Sequence, residues 1–224
     1  MKHSTLRICS FVFLLGALAS CGGGSNSEKS SQVIPSDVTI YGSCGNTPNY
    51  KNEILISRWK RFPITLYVDL SNAPGVDIGN NRSIYRNAIL YSANNWSSAG
   101  NGIGAIILVS TPDADIVVRF GSTPTADSFG STSVVFDGNY KKKATINLNL
   151  QKFSTLSQTI YLDYWLKITT THEMGHVLMA YGHPVSTRNS VMFQGSSIEG
   201  PTLEDLNTIR EAYCRVDSQS YPNP

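Results

Sequence analysis

Three histidines lie close together near the end of this 224-residue chain, which has only four in total. Two of them, His172 and His176, are four residues apart. On an α-helix this spacing separates two side chains by about 40° around the axis and about 6 Å along it. Both imidazoles can then reach one metal ion. The sequence therefore predicts a helix with one face turned toward a metal site.

The residues around these histidines have a helical period. Glu173 lies one step around the helix, where its carboxylate can reach a water molecule on the metal without being a ligand. In an HExxH pattern, zinc lowers the pKa of that water towards 7, and the carboxylate takes its proton as it attacks a carbonyl. One stripe of the helix is marked by Tyr161, Trp165, Ile168 or Thr169, His172, His176 and Met179.

A third ligand is expected, because a catalytic zinc usually has three protein ligands and one open position. His183 cannot serve on a continuous helix, since it would lie about 10 Å further along the axis than His176. Gly182 can adopt the left-handed conformation that ends helices, and Pro184 pushes His183 out of the helical region. We predict a helix that ends near Tyr181 and a reversal at Gly182 that brings His183 over the metal.

Two other assignments of the site stay open. A downstream acid can replace His183 as third ligand, as in gluzincins, and Glu199 and Glu204 are the candidates. Glu204 fits better as a first-turn acid of the last helix and Glu199 as a loop residue. The metal can also be purely structural, in a binding lipoprotein without catalysis. Glu173 argues against that assignment, because a structural zinc needs no base beside its ligands.

The remaining body alternates strand-like and helix-like segments. Runs rich in β-branched residues predict strands over residues 62–69, 105–109, 115–120, 132–136 and 144–150. Residues 137–139 are a good turn sequence between the last two strands. Helices are predicted from Ile84 to about Gly100 and over residues 203–213, in addition to the long histidine-bearing helix.

The N-terminus has the features of an exported protein. Residues 1–20 have a basic start and an apolar run too short to span a membrane, which indicates a signal peptide. Residues 18–21 resemble a bacterial lipobox, which implies a lipidated Cys21. An ordinary secretory signal is the alternative. Gly22 is not the aspartate that retains such lipoproteins in the inner membrane, so we expect a lipid-anchored protein of the outer membrane, facing the periplasm or the exterior.

The histidine segment resembles the metzincin metalloproteases, in particular their matrixin-like bacterial members, whose motif is HExxHxxGxxH. His172, Glu173 and His176 match it. Met179 occupies the place of the turn glycine, and His183 lies one position later than the third ligand. The resemblance continues in residues 190–193, which are similar to the Met-turn and contain Met192 as an apolar floor beneath the metal. It continues in residues 203–210, which are similar to the closing helix.

This resemblance implies an α+β zincin fold. Its parts are a twisted, mixed sheet with an antiparallel edge strand, an active-site helix carrying HExxH and a C-terminal helix. Residues 131–136 are the candidate edge strand, to which an extended peptide would add by backbone hydrogen bonds. The implied function is zinc-dependent endopeptidase, with one catalytic zinc ion, Glu173 as general base and a protein or peptide substrate. We expect a monomer.

The domain boundaries follow from these features. We expect a signal peptide over residues 1–20, a lipidated cysteine and flexible lead-in over residues 21–50, a catalytic domain over residues 51–217 and a tail over residues 218–224.

Two cysteines remain in the body, Cys44 and Cys214, and an oxidising compartment favours a disulfide between them. The alternative is that Cys44 blocks zinc, as a cysteine does in some latent metalloproteases. Without the signal peptide the chain has 16 basic and 16 acidic residues, because Lys2 and Arg7 leave the total of 18. Residues 58–61 and 141–143 are basic clusters that we interpret as solvated surface, so no nucleic-acid partner is predicted.

Overall fold

The computed structural model describes residues 55–56, 58–99, 104–138, 140–184 and 189–214. These residues form an α+β fold with a mostly parallel sheet and four helices. No helix in this part of the chain combines the length and the apolar character needed to cross a membrane. The predicted signal peptide, the lead-in, Cys21, Cys44 and the tail all lie outside the described residues. The lipid anchor and the disulfide to Cys214 therefore stay predictions.

The main sheet has six strands in the order β2-β7-β5-β3-β4, with β6 also paired to β7. The β6–β7 pairing is antiparallel, and the other pairings in this sheet are parallel. Strands β1 and β8 form a separate antiparallel pair. In chain order the elements are β1 (Leu55–Ile56), β2 (Arg58–Trp59), β3 (Ile64–Asp69), α1 (Asn81–Ala99), β4 (Ile106–Leu108), β5 (Ile116–Gly121), β6 (Gly130–Asp137), β7 (Tyr140–Asn149), α2 (Leu150–Leu156), α3 (Leu162–Leu178), β8 (Ala180–Tyr181) and α4 (Leu203–Cys214).

The predicted strands match the observed ones in place and differ at their ends. The predicted edge strand, residues 131–136, lies within β6. Residues 144–150 were predicted as one strand, but Leu150 begins helix α2. The side chain of Asn149 accepts hydrogen bonds from the backbone N–H groups of Gln151 and Lys152. This N-cap ends the strand and starts a helix that the sequence analysis did not predict.

Helix α3 lies at the centre of the fold. It packs against α1 and against strands β6 and β7. The Trp96 indole of α1 donates a 2.9 Å hydrogen bond to the carbonyl of Thr171, and Ser92 bonds the hydroxyl of Thr170 at 2.6 Å. Apolar side chains of β3, β5 and β7, including Ile64, Leu66, Ile116, Val118, Ile146 and Leu148, are fully buried. This packing holds the histidine-bearing helix in place, because burial stabilises folding by about 25 cal/mol per Å² of apolar surface.

Two predictions near the end of α3 are wrong. The helix ends at Leu178 and not near Tyr181, and Tyr181 lies in β8 instead. Lys141, predicted to be solvated, is only 3% exposed. Both errors have one physical reason, because the Lys141 amine donates to carbonyls in the last turn of α3. Gly182 does adopt the predicted left-handed conformation, with φ of 81°.

Candidate metal centre

Three imidazoles meet where α3 faces the chain that follows it. Nε2 of His183 lies 3.0 Å from Nε2 of His172 and 3.3 Å from Nε2 of His176. Nitrogen ligands about 2.0–2.1 Å from a tetrahedral zinc ion lie about 3.4 Å apart, so these separations fit a shared metal ion. Among the described residues, this is the one group of three or more potential ligands with ligand atoms within 4.8 Å of one another. The structure therefore brings all three predicted histidines together.

The ring of His172 is oriented by the backbone. Its Nδ1 lies 2.6 Å from the carbonyl oxygen of Val191. Because a carbonyl only accepts hydrogen bonds, Nδ1 carries the proton and Nε2 presents its lone pair to the cluster. Burial, aided by the neighbouring His183, lowers the pKa of His172 to about 4, although the bond to Val191 opposes the change. Burial also lowers the pKa of His183. Neutral imidazoles are the form that binds metals.

A buried carboxylate fixes the turn that contacts His172. Asp205 is fully buried and accepts hydrogen bonds from the Ser190 hydroxyl at 2.5 Å and from the Val191 N–H at 3.0 Å. The N–H of Met192 donates to the Ser190 hydroxyl oxygen at 2.9 Å. The peptide group whose carbonyl orients His172 is thus bonded through Ser190 to Asp205.

The sequence analysis had not assigned Asp205 to the site. The available signal was the spacing of Thr202 and Asp205. The Thr202 N–H donates to the Asp205 carboxylate at 2.8 Å, and the Asp205 N–H donates to the Thr202 hydroxyl oxygen at 3.5 Å. This is the reciprocal pattern of a capping box, here with an aspartate in the third position.

Glu173 is buried beside the cluster, with 6% of its surface exposed. The Thr132 hydroxyl of β6 donates to its carboxylate oxygen Oε2 at 2.7 Å. Burial raises the pKa of Glu173 to about 7, and the hydrogen bond from Thr132 acts in the opposite direction. Gly130 lets β6 come this close, because a Cβ atom there would lie 2.8 Å from Cγ of Glu173. The carboxyl group is therefore held where its proton affinity is high for an acid.

Met192 packs directly against α3 at Gly175, the residue before His176. It is fully buried, and its sulfur contacts Gly175. A Cβ atom on residue 175 would overlap that sulfur and would lie 3.1 Å from the Trp96 ring. Only a glycine in this turn of the helix permits the contact. The turn containing Met192 and the helix containing His172 thus form one packed unit.

The three histidines and Glu173 line a cavity of about 570 Å³. Trp165 and Ile168 of the predicted stripe also line it, whereas Tyr161 precedes α3 and is exposed. The indole of Trp165 stacks on Phe129 with ring centroids 4.8 Å apart. The other lining residues come from residues 124–128, the start of β6, Thr169, Gly182 and residues 194–196. The cavity has polar groups at the three histidines and an aromatic wall formed by Phe129 and Trp165.

The other predicted ligands do not join the cluster. Among the described residues, the group of convergent ligand atoms contains neither Glu199 nor Glu204. The backbone carbonyl of Glu199 accepts a hydrogen bond from Thr171 instead. Comparison of the chain with models of known protein families and with curated proteins returns no match. What the arrangement offers chemically is a group of three imidazole nitrogens that could hold a cation beside the buried Glu173.

Proposed function

We propose that the chain is a zinc-dependent endopeptidase similar to the metzincins. The convergence of three Nε2 atoms beside the buried carboxylate of Glu173 carries this proposal. His172, His176 and His183 would hold the ion and leave one position open. A bound zinc ion would lower the pKa of a water molecule and polarise the carbonyl of a peptide bond.

Glu173 acts as the general base in this proposal. Its carboxylate takes a proton from the attacking water and passes it to the nitrogen of the departing amine, so that it is regenerated unchanged. A pKa of about 7 suits a group that must both accept and release a proton near neutral pH. The Thr132 hydroxyl holds the oxygen Oε2 and limits rotation of the carboxylate.

The substrate in this proposal is an extended peptide that lies along β6. Within the described residues, β6 is paired with β7 on one side and with no strand on the other. Backbone hydrogen bonds can therefore hold a peptide as an additional strand. Gly130, Ser131 and Thr132 line the cavity, so such a strand would pass beside the histidines. The Phe129–Trp165 wall suits an apolar side chain of the substrate.

The finer resemblance to metzincins belongs to the same proposal. An antiparallel β6, a buried methionine turn at Met192 and the closing helix α4 correspond to the parts that the family fold implies. The late position of His183 is compatible with it, because α3 ends early and Gly182 reverses the chain. We further propose a monomer anchored to the bacterial outer membrane through lipid on Cys21.

Hydrolysis of a mixed peptide library by the purified protein tests this function. We expect zinc-dependent cleavage by the wild type and a loss of about 10²–10⁴-fold in kcat for Glu173→Ala, the usual range for a general base. Glu204→Ala is the matched control and should retain full activity, since Glu204 lies outside the cluster. A Glu173→Ala variant that cleaves as fast as the wild type would refute the mechanism. A wild type that binds zinc without cleaving any peptide would favour the structural metal site.

A further inference from the structure

The last carbonyl groups of α3 are bound by side chains from three other elements. A helix leaves its final carbonyl groups without partners inside the helix. The Lys141 amine of β7 donates to the carbonyls of His176 and Val177, both at 2.7 Å. The Trp59 indole of β2 donates to Val177 at 2.9 Å, and the Tyr213 hydroxyl of α4 donates to Leu178 at 2.7 Å. We call Lys141, Trp59 and Tyr213 the helix-end cap.

The three side chains of the helix-end cap are buried, and a buried lysine needs a specific explanation. Lys141, Trp59 and Tyr213 are 3%, 4% and 1% exposed. Moving an amine out of water is unfavourable, and hydrogen bonds to carbonyls only partly offset that cost. A methionine would fill a similar space without this cost. The contribution specific to Lys141 is therefore its N–H donors, which are directed at two carbonyls of the last turn.

The helix-end cap binds the chain at and just after the second histidine of the cluster, His176. One of the carbonyls bound by Lys141 belongs to His176, whose ring is in the cluster. The helix stops two residues later, at Leu178, and Met179 leaves the helical region with φ of −134°. The chain then passes through β8 and the left-handed Gly182 to His183. Each further helical residue would turn the following chain by about 100° and advance it by 1.5 Å.

We propose that Lys141 is a positioning residue for the metal centre, because its bonds to the carbonyls of His176 and Val177 fix where α3 ends and so place His183 against the other two histidines. This role rests on the proposed metal site. Lys141 acts through His183 and does not itself contact the ion. Its removal should therefore weaken metal binding only while His183 is present.

A double-mutant cycle in the full chain with cobalt(II) tests this coupling. The variants are Lys141→Met, His183→Ala and their combination, and chelator competition gives each cobalt affinity. We expect Lys141→Met to weaken cobalt binding by about 10- to 100-fold, as for other residues that orient metal ligands. We also expect it to alter the visible spectrum of the cobalt protein. In the His183→Ala background the same change should alter affinity less than about twofold.

Lys143→Met is the matched control on the same strand. The Lys143 amine bonds Asp113 and the carbonyl of Ala114 instead of α3. This variant should leave both cobalt affinity and spectrum unchanged. Lys141→Arg keeps N–H donors and should recover part of the lost affinity. Circular dichroism shows whether each variant is folded. If Lys141→Met does not fold, Tyr213→Phe removes another donor of the cap with little change in shape, and the same coupling to His183 is expected.

Three results would overturn this role. A folded Lys141→Met variant with wild-type cobalt affinity would overturn it directly. An equal loss of affinity with and without His183 would show that Lys141 only stabilises the fold. A wild type that binds no cobalt would overturn the proposed metal site together with this role, whereas the first two results leave the metal site intact.

Discussion

The cluster contains two kinds of histidine. His172 and His176 are side by side because they are four residues apart on one helix, and α1 and the sheet hold that helix. His183 joins them because side chains from β2, β7 and α4 bind the end of α3 and because Gly182 reverses the chain. The first pair is set by local geometry and the third histidine by contacts distant in sequence. Substitutions elsewhere in the fold should therefore displace His183 more readily than His172 or His176.

Replacement of single histidines should show the largest difference in zinc affinity between the helical pair and His183. We expect His172→Ala to lower zinc affinity by more than about 100-fold, beyond the loss seen when only a supporting residue is removed. His183→Ala should retain more affinity, because the remaining pair is already arranged on one helix and needs no loop to be ordered. Competition with a chromophoric chelator measures both affinities. Tighter binding by His172→Ala than by His183→Ala would contradict the comparison.

Removal of the metal should affect helix α3 and the segment that carries His183 differently. A ligand at 100 times its Kd stabilises the folded state by about 2.7 kcal/mol, so chelation should lower the melting temperature. We expect amide hydrogen exchange to rise most at residues 180–183. The amides of α3, held by packing on α1, should change little. Hydrogen exchange with mass spectrometry measures this difference. Equal increases in α3 and at residues 180–183 would show that the helix depends on the metal as much as the segment after it does.

Ser190→Ala should affect the helical side of the site alone. It removes the hydroxyl that links the Met192 N–H to Asp205 and so loosens the peptide group that orients His172. We expect a loss of about 10-fold in zinc affinity, at the lower end of the range for supporting residues. Ser196→Ala is the control, since Ser196 lines the cavity without contacting this network. A zinc affinity equal to that of the wild type would show that the link to Asp205 does not matter.

Thr132→Val should have the smallest effect, a shift in the pH dependence of kcat/KM. The hydrogen bond from Thr132 lowers the pKa of Glu173, so its loss should raise that pKa further. Because catalysis needs the ionised carboxylate, the acidic limb of kcat/KM should move to higher pH, by about one unit or less. Activity well above that limb should change little. A shift to lower pH would contradict the assignment of Glu173 as base. Thr125→Val, also in the cavity lining, is the control.

The parts of the site that sequence predicted are those with short-range causes. The spacing of His172, Glu173 and His176 fixes their relative directions once a helix forms. The left-handed conformation of Gly182 was likewise predicted from the residue type and from Pro184 after His183. The run over residues 144–150 predicted most of β7, where Ile146 and Leu148 are buried.

The parts that sequence missed depend on distant partners. The early end of α3 depends on Lys141 and Trp59, which both donate to the carbonyl of Val177. In sequence they precede Val177 by 36 and 118 residues. Lys141 itself belongs to a basic run that looks solvated, and only the packing of β7 against α3 shows that it is buried. Helix α2 was missed for another reason, because its N-cap Asn149 directly continues the alternating pattern of the strand.

The irregularity in the β6–β7 pairing bears on solubility. An unpaired strand edge is a template for any extended chain, including another copy of the same protein, and such edges promote aggregation. The register between β6 and β7 shifts between Val135 and Phe136, where Lys142 of β7 is the extra residue. A bulge of this kind bends the strand that carries it, here β7, and increases the local twist of the pair, so a regular strand would fit the free edge of β6 less well beyond this point. If a short peptide pairs with β6 beside the histidines, as we propose, we expect this twist to disfavour pairing of the same edge with a second copy of the chain.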